Sequence, residues 1–366
     1  MSMAKVAMLT GDKLIELREF PLPAVKDDEI LVKVEGCGIC GTDVHEYKGN
    51  PFGIKPIVLG HEGTGEVVAI GKNITQDTSG KPIKVGDKVV SSVLVCGTCE
   101  SCRRFPEVPN LCTNLGVYGL ISEDDYHLNG WFGEYILLRK GSSVFVVNEF
   151  TLDERMLLEP ACVVVHALER AKTTNLIKFD STVLVQGCGP IGLLQIAVLN
   201  AYGIKNIIAV DGNVKRLEMA KKMGAKYTIN FTEQDTLEKR VAKVNEYAKA
   251  AGADFAFQCT GNPVAASEVF KYIRRGGGLC ELGFFVDNGP TTYNPHLDFC
   301  NKEITVVGSW VYSANEYLTT MAFMETAKSI GLDLKQLITD KFPLEQINQA
   351  METNMSMSGL KIAVVI

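Results

Sequence analysis

The sequence predicts a two-domain α/β protein in which a β-rich domain accompanies a doubly wound parallel sheet. Three observations support this prediction. The 366 residues exceed the usual length of a single domain. Short β-branched runs separated by Gly, Pro and Asp fill the first third of the chain. Beyond about residue 165, apolar runs alternate with helical stretches, which is the pattern of right-handed βαβ crossovers.

The β-rich part contains five predicted strands, at residues 4–8, 29–35, 63–70, 88–93 and 135–139. The pair Gly86-Asp87, directly before the fourth of these runs, is a typical turn that leads into a strand. Short strands bounded by turn residues are the pattern of a small barrel or sandwich.

The second part alternates strands and helices. Predicted strands lie at residues 182–186, 207–211, 226–230, 255–258 and 278–282, and a helix is predicted over 191–202. Val214, Leu217 and Ala220 then recur at three-residue spacing, as one face of a helix requires. From about Tyr312 the chain returns to helix, helix and a last strand over 362–366, whose place in the fold the periodicity does not decide.

The composition is that of a globular enzyme, with 46% hydrophobic and 22% charged residues and a formal net charge of −6. Such mild acidity argues against partners that need a concentrated basic surface, so we expect neither nucleic acid nor an anionic membrane as a partner. Residues 1–10 lack the apolar core of a secretory signal, and the apolar run 191–198 is too short to span a bilayer. A cytoplasmic protein is therefore expected.

A glycine-rich loop follows the first strand of the second part. Residues 183–192 read VLVQGCGPIG, a strand that leads through GxGxxG into a helix. In this pattern the first glycine allows a tight turn, the second allows the backbone to approach a pyrophosphate, and the third allows close helix packing. The helix N-terminus then faces the phosphates. The predicted dinucleotide contacts in the loop are Gly187, Gly189, Pro190, Ile191 and Gly192.

An acidic residue ends the next predicted strand. Asp211 lies 19 residues after Gly192, where a carboxylate can accept hydrogen bonds from a ribose 2′-hydroxyl. The same carboxylate would repel a 2′-phosphate, so NAD is favoured over NADP. Arg216 is close enough to complicate this preference and is itself a predicted cofactor contact, but Asp211 is the stronger indication.

Four of the eleven cysteines lie within 17 residues, at Cys96, Cys99, Cys102 and Cys112. Two-residue gaps let successive thiolates reach one ion from a tight loop, and four thiolates complete a closed tetrahedral zinc site. Because such a site has no open position, we predict a structural zinc here. The alternative is a loop with reduced, free thiols; a disulfide framework fits poorly with an odd number of cysteines.

A second set of possible zinc ligands occurs in three short segments. Cys40 and His61 offer one soft and one borderline ligand, and Glu62 and Glu159 add carboxylates. A catalytic zinc needs three protein ligands and one open position, which Cys40, His61 and one of the glutamates would supply. Taken singly, Cys40 and His61 are better explained as buried core residues than as metal ligands. Their occurrence beside a cysteine cluster and a dinucleotide motif favours the metal site.

These motifs together resemble the zinc-dependent medium-chain dehydrogenases. The sequence is most similar to the polyol, butanediol and threonine dehydrogenase branch, and the resemblance extends essentially from end to end. It rests on the segments GICGTDVH, GHEGTGEV, GDKVV, the four-cysteine loop, GWFGEY, EPACVVVHA, VLVQGCGPIG and IIAVD.

The resemblance implies a particular domain organisation. A GroES-like catalytic domain would comprise residues 1–164 and 306–366, and a Rossmann NAD-binding domain would comprise residues 165–305. The same resemblance implies a homotetramer or homodimer built partly through the edge of the Rossmann sheet.

The resemblance also implies roles for individual residues. Cys40 and His61 would bind the catalytic zinc, and Glu62 and Glu159 would be the carboxylates beside it, either of which could be the third ligand. Asp43 would orient His61. Thr42 would hydrogen-bond the alcohol and begin a proton relay that His45 carries to solvent. Glu62 is assigned to catalysis together with this pair.

Two departures from the family pattern bear on these assignments. Nine residues separate Cys102 from Cys112, whereas seven are commonest in the family. We expect the extra residues to bulge outward. Glu159 occupies the position of a cysteine in the alcohol dehydrogenases, which indicates the polyol branch. By resemblance, Tyr47, Trp131, Phe132 and Trp310 could line the substrate pocket, although ordinary packing explains them equally well.

The resulting hypothesis is a zinc-dependent oxidoreductase that transfers a hydride between NAD and a secondary alcohol, vicinal diol or polyol. One alternative is a zinc-independent quinone or enone reductase, against which Cys40 and His61 argue. Another is a non-catalytic NAD-binding protein, and a third is an enzyme of sugar phosphates or amino alcohols. The sequence leaves the substrate, its stereochemistry and the physiological direction open.

Overall fold

The computed structural model describes residues 2–366 and divides into two compact units. The first unit runs to Glu159 and also includes Ser313–Leu318 and Lys335–Ile366. The second comprises Pro160–Tyr312 and Thr319–Leu334. The domain boundaries predicted after residues 164 and 305 stay a prediction.

Strands and helices are numbered here in chain order. The strands are β1 Met3–Gly11, β2 Leu14–Pro21, β3 Ile30–Gly38, β4 Ile57–Val58, β5 Glu62–Ile70, β6 Lys88–Ser91, β7 Tyr135–Leu138, β8 Val144–Val146, β9 Thr182–Gln186, β10 Asn206–Asp211, β11 Tyr227–Asn230, β12 Ala253–Gln258, β13 Ile273–Glu281, β14 Thr305–Gly308, β15 Ile338–Pro343 and β16 Lys361–Val365. The α-helices are α1 Gly41–Gly49, α2 Glu100–Arg104, α3 Leu152–Lys172, α4 Pro190–Tyr202, α5 Val214–Met223, α6 Leu237–Ala248, α7 Pro263–Tyr272, α8 Glu316–Ser329 and α9 Ile347–Met355.

The second unit is built on one parallel sheet with the strand order β11-β10-β9-β12-β13-β14. Each neighbouring pair is parallel. The chain runs outward from β9 in one direction and then resumes at β12 in the other, so the order reverses between these two strands. In doubly wound sheets, ligands bind beyond the carboxyl ends of the strands at this reversal.

The core of this unit explains why its strands are nearly continuous apolar runs. Leu184, Ile208, Ala256 and Leu279 come from four neighbouring strands and are at most 2% exposed. Helices cover both faces of parallel sheets, so such strands are buried on both sides. Val269 of α7 belongs to the same cluster.

The first unit contains two sheets. One has the order β2-β1-β4, and the other has the order β15-β16-β3-β5-β6-β8 with β7 paired to β3. Its main core includes Tyr47, Trp131 and Phe132, which are at most 2% exposed. The last strand, β16, pairs antiparallel with β3, so the C-terminal segment returns to this sheet.

Strand register places three segments of the first unit side by side. Gly38, the last residue of β3, pairs with Glu62, the first residue of β5, and also with Ala363 of β16. A Cβ atom on Gly38 would lie 2.1 Å from Glu62 Oε2 and 2.9 Å from Lys361 Cε. A glycine at this position therefore makes room for two charged side chains from the neighbouring strands.

The structure confirms the predicted fold class, a β-rich GroES-like domain with a parallel Rossmann sheet. Sequence reasoning missed α3 as a continuous helix, because it contains Pro160 and a proline normally interrupts a helix. It also missed β15, whose burial alternates residue by residue, in contrast to the nearly continuous burial of β16, with which it pairs. Within residues 2–366, no helix is both long enough and apolar enough to cross a bilayer.

Candidate active site

The first cluster of possible metal ligands lies where β3 ends and β5 begins. Cys40 is the N-cap residue of α1, directly after β3, and His61 and Glu62 are at the entry to β5. The possible ligand atoms of these three residues all lie within 4.8 Å of one another. His61 and Glu62 are buried, whereas Cys40 is half-buried, so the cluster has one more accessible side.

A fully buried carboxylate joins the two segments that supply this cluster. Asp43 Oδ2 accepts a 2.8 Å hydrogen bond from the Cys40 backbone N–H, and Asp43 Oδ1 accepts a 3.3 Å bond from Gly60. Asp43 Oδ1 also lies 3.4 Å from His61 Nδ1. An imidazole held at Nδ1 presents Nε2 to a metal, which is the usual arrangement of a ligating histidine.

The electrostatics of His61 suit a metal ligand. Burial alone would lower its pKa, but the charges of Asp43 and then Cys40 outweigh burial and raise the pKa of His61 well above its usual range. A zinc ion bound here would take the place of the imidazole proton as the local positive charge. The donor set of thiolate, imidazole and carboxylate fits zinc.

A buried lysine completes the cluster, and sequence reasoning missed it. Lys361 Nζ forms an ion pair with the Glu62 carboxylate and donates a 3.1 Å hydrogen bond to the Ile39 carbonyl oxygen. Burial lowers the pKa of Lys361, but the charges of Glu62 and then Cys40 raise it, and the net direction is upward. A lone lysine at the start of an apolar strand was the available signal, because a buried ammonium group needs an anionic partner.

Glu159 does not join the three gathered ligands. The cluster within 4.8 Å comprises Cys40, His61 and Glu62. The negative charge of Glu159 nevertheless contributes to the raised pKa of Lys361. The charge of Glu159 therefore acts on the same site, although Glu159 is not among the residues whose ligand atoms lie within 4.8 Å of one another.

The two proposed relay residues, Thr42 and His45, both belong to α1. Thr42 Oγ1 lies 3.7 Å from Cys40 Sγ and the Thr42 side chain is buried. His45 is exposed and stands three residues later, on the same face of the helix. Partial burial and then the charge of Lys48 lower the pKa of His45. A neutral imidazole, able to accept a proton, is therefore present at neutral pH.

The four-cysteine loop is gathered as a metal site requires. The sulfur atoms of Cys96, Cys99, Cys102 and Cys112 lie within 4.8 Å of one another. Cys96 Sγ accepts hydrogen bonds from the backbone N–H of Thr98 at 3.5 Å and of Cys99 at 3.3 Å. N–H groups directed at sulfur stabilise thiolates, which are the metal-binding form.

The thiol pKa values in this loop are spread widely. Hydrogen bonds from Thr98 and then from Cys99 lower the pKa of Cys96 to about 5, and bonds from Thr113 and Cys102 lower that of Cys99 to about 7. Desolvation and then hydrogen bonds to the other sulfurs raise the pKa of Cys102 to about 12. Four sulfurs this close share protons, and a metal ion would replace those protons.

The glycine loop of the second unit has the shape that a dinucleotide needs. Gly187 has φ +91°, and a Cβ on Gly192 would lie 1.8 Å from the Gly187 carbonyl oxygen, so both positions exclude larger residues. A Cβ on Gly189 would meet nothing within 4 Å, so this point of the loop faces open space. Helix α4 begins at Pro190 without a side-chain cap, which leaves the N–H groups of its first turn available to a phosphate.

The acidic residue at the end of β10 is held in place by the loop. Asp211 Oδ2 accepts a 2.7 Å hydrogen bond from the Cys188 N–H, and Oδ1 accepts a 2.8 Å bond from the Asn213 N–H. Each carboxylate oxygen can still accept a further bond from a ribose hydroxyl. Nearby, Arg216 Nε is buried without a hydrogen-bond partner. These residues and the glycine loop fit a dinucleotide.

The aromatic residues suggested as pocket walls fall into two groups. Tyr47, Trp131 and Phe132 are buried in the main core of the first unit. Trp131 packs against Gly63, where a Cβ would lie 2.1 Å from the indole ring. Trp310 is 43% exposed and stacks on Phe285 with ring centroids 4.8 Å apart.

Comparison with known proteins places both halves of the chain. Residues 26–148 match the alcohol dehydrogenase GroES-like domain, and residues 190–326 match the zinc-binding dehydrogenase domain. The chain is 35% identical to sorbitol dehydrogenase of Bacillus subtilis over 95% of this chain and 92% of the relative. It is 30% identical to L-threonine 3-dehydrogenase of Symbiobacterium thermophilum over 95% of this chain and 93% of that enzyme. A crystal structure of an alcohol dehydrogenase from Thermotoga maritima superposes with a TM-score of 0.91 at 30% identity and covers both chains completely.

The two clusters predict distinct zinc sites. We expect about two zinc ions per chain, about one in Cys40→Ala and about one in Cys112→Ser, because each variant loses one thiolate of one cluster. Elemental analysis of the purified proteins measures this, and Cys300→Ser, which changes an exposed free thiol, is the matched control. An unchanged zinc content in Cys40→Ala would refute a metal at the first cluster.

The same measurement distinguishes the two carboxylates. Glu62→Gln is expected to lower the zinc content more than Glu159→Gln, because only Glu62 belongs to the group within 4.8 Å. The opposite order would assign the third ligand to Glu159.

Proposed function

Since this chain belongs to the zinc-dependent medium-chain alcohol and polyol dehydrogenases, we propose that it oxidises a polyol or vicinal diol to the ketone with NAD, and catalyses the reverse reduction. The observation that carries this proposal is the gathering of Cys40, His61 and Glu62 within 4.8 Å beside a buried threonine. The same chain carries a dinucleotide loop that ends at a carboxylate.

Residues of the first unit would have separate roles in the reaction. When bound, zinc supplies Lewis-acid polarisation of the substrate oxygen, and NAD supplies the hydride acceptor. Cys40, His61 and Glu62 would hold the metal, and Lys361 would fix Glu62 and offset its charge. Thr42 Oγ1 would accept the hydroxyl proton of the alcohol as it gives up its own proton to the relay, and His45 would transfer the relayed proton to water.

The choice of a polyol follows from the relatives and from the ligand set. The Bacillus subtilis relative acts on sorbitol by its name, and the Symbiobacterium relative acts on threonine. A carboxylate at the Glu159 position is the feature that the sequence shares with the polyol branch. A panel of polyols, vicinal diols and threonine, assayed with NAD by the absorbance of NADH, tests the substrate class. Turnover of threonine alone would assign an amino-alcohol substrate instead.

Thr42 offers the sharpest test of the relay. Thr42→Val is expected to lower kcat by roughly 10²-fold, because the variant keeps the shape of the side chain but loses the hydroxyl that accepts the proton. Its zinc content should stay at the wild-type value, since threonine is not a ligand. Thr42→Ser, which keeps the hydroxyl, should retain most of the activity. Wild-type turnover in Thr42→Val would refute the relay.

Asp211 is the proposed determinant of cofactor preference. Asp211→Ala is expected to weaken NAD binding by roughly tenfold or more and to reduce the discrimination against NADP, because the variant loses a charged hydrogen-bond acceptor and a repulsive charge together. Binding is measured as the Kd of NADH and NADPH by nucleotide fluorescence. If the substitution only disordered the loop at Cys188, the Kd values of NADH and NADPH would rise by the same factor. The preference for NADH over NADPH would then be unchanged.

We also propose that the chain assembles as a homodimer or homotetramer through β14. This strand forms one edge of the parallel sheet, and Val306 on it is 42% exposed. An exposed edge strand with apolar side chains is a template for pairing with a second copy.

Val306→Lys tests this assembly. A lysine on an edge strand opposes pairing, so we expect the mass in solution to fall from a multiple of the 40.0 kDa chain to that of a monomer. Light scattering coupled to size exclusion measures the mass. Val264→Lys, at a valine that is 65% exposed on α7, is the control and should leave the assembly intact. A monomeric wild-type protein would refute the proposal.

A cytoplasmic location is proposed from the cysteines. Within residues 2–366 none of the eleven cysteines forms a disulfide, and Cys300 is an exposed thiol, a state that persists in reducing compartments. Fractionation of cells that express the protein tests this location, and recovery outside the cytoplasm would contradict it.

A further inference from the structure

A carboxylate that the proposed mechanism does not use lies at the carboxyl edge of the parallel sheet. Glu281 is the last residue of β13 and pairs in register with Gln258, the last residue of β12, which in turn pairs with Gln186, the last residue of β9. Paired residues of parallel strands project from the same face of the sheet. The three side chains therefore form a polar row that crosses the point where the strand order reverses.

The Glu281 carboxylate is partly buried and lacks a cationic partner. Oε1 accepts a 2.9 Å hydrogen bond from the Gly283 N–H, and within residues 2–366 no ion pair involves this group. Burial raises the pKa of Glu281 to about 7. Ser309, whose backbone N–H donates to the Glu281 carbonyl oxygen at 2.9 Å, has a buried Oγ without a hydrogen-bond partner, and so has Gln186 Oε1 at the other end of the polar row. A carboxylate in such a place is stabilised only when it is protonated or when a cation arrives.

The titratable groups that interact electrostatically with Glu281 are thiols. Cys280 precedes it on β13, and Cys259 follows β12 and interacts with it electrostatically. Burial raises the pKa of Cys280 to about 12 and that of Cys259 well above its usual range. The nearest basic influence is Arg170 of α3, which acts on Cys280. Among these groups, Glu281 alone changes its charge near pH 7.

The position of Glu281 indicates which cation would arrive. In a doubly wound sheet one half holds the adenine mononucleotide and the other half holds the nicotinamide mononucleotide. The glycine loop and Asp211 belong to β9 and β10, so β12, β13 and β14 form the nicotinamide half. The nicotinamide ring carries a positive charge in the oxidised cofactor and none in the reduced one.

We propose that Glu281 is a specificity-determining and positioning residue, whose negative charge at the end of β13 favours oxidised over reduced dinucleotide. The inference rests on the proposed function, because it requires the glycine loop to bind NAD. Since binding and protonation are linked, NAD+ should bind more tightly as Glu281 ionises, and should release a proton when it binds near pH 7. NADH should show neither effect.

Nucleotide binding, measured apart from turnover, tests this proposal. The Kd values of NAD+ and NADH are determined by calorimetry at pH 6 and pH 8 for the holoenzyme and for Glu281→Gln. In the wild type, NAD+ affinity should rise about fivefold between pH 6 and pH 8, as a shift of one pKa unit on binding implies, and NADH affinity should change less than twofold. In Glu281→Gln, NAD+ should bind about tenfold more weakly at pH 8 and its pH dependence should disappear.

Four further measurements make the result specific. Glu281→Asp keeps the charge and should retain the pH dependence, and Glu246→Gln removes an exposed carboxylate of α6 and should behave as wild type. Calorimetry in two buffers of different ionisation enthalpy counts the released protons, and repetition in Cys40→Ala removes any contribution from the zinc site.

The outcomes separate the two proposals. Selective loss of NAD+ affinity in Glu281→Gln, with its pH dependence, supports the inference. An equal weakening of NAD+ and NADH would mean that Glu281 acts only through the turn at Gly283, and would overturn it, as would a wild type whose NAD+ affinity is independent of pH. Failure of the wild type to bind either nucleotide would overturn the proposed function as well.

Discussion

The arrangement of the candidate metal ligands Cys40, His61 and Glu62 depends on one buried carboxylate. Asp43 accepts hydrogen bonds from the backbone of Cys40 and of Gly60 and approaches the imidazole of His61, so it joins the end of β3 to the start of β5. A buried carboxylate is costly unless it is paired with donors or positive charge, and the surrounding polar groups meet that requirement. The same contacts orient the histidine, so the cost of burying Asp43 is offset by interactions that also shape the site.

Charge compensation extends from this carboxylate to the far end of the chain. Glu62 contributes a second negative charge within the cluster, and Lys361, at the start of the last strand, neutralises it. The pairing of β16 with β3 brings this lysine to the site, and Gly38 provides the space for it. The C-terminal return of the chain thus contributes to the chemistry of the cluster as well as to the sheet.

The second unit follows a different principle, in which backbone geometry provides the binding surface. Gly187 and Gly192 allow the close turn before α4, and Asp211 is fixed by two backbone N–H groups. The strand order reverses between β9 and β12, and the polar row that ends at Glu281 crosses this reversal. Each half of the sheet therefore carries a carboxylate at the carboxyl end of a strand, Asp211 in one half and Glu281 in the other.

Local sequence patterns were enough to predict the fold class, the glycine loop, Asp211, the four-cysteine cluster, and Cys40 with His61, because the spacing of each pattern carries the physical information. Three features emerge only from the folded chain: Glu62 rather than Glu159 lies within the ligand cluster, Lys361 pairs with Glu62, and Glu281 aligns with Gln258 and Gln186. These contacts join residues far apart in the chain. They depend on strand register and chain return, which local periodicity does not encode. Helix α3 was missed for the opposite reason. Pro160 is a local signal against a continuous helix, and the surrounding packing overrides it.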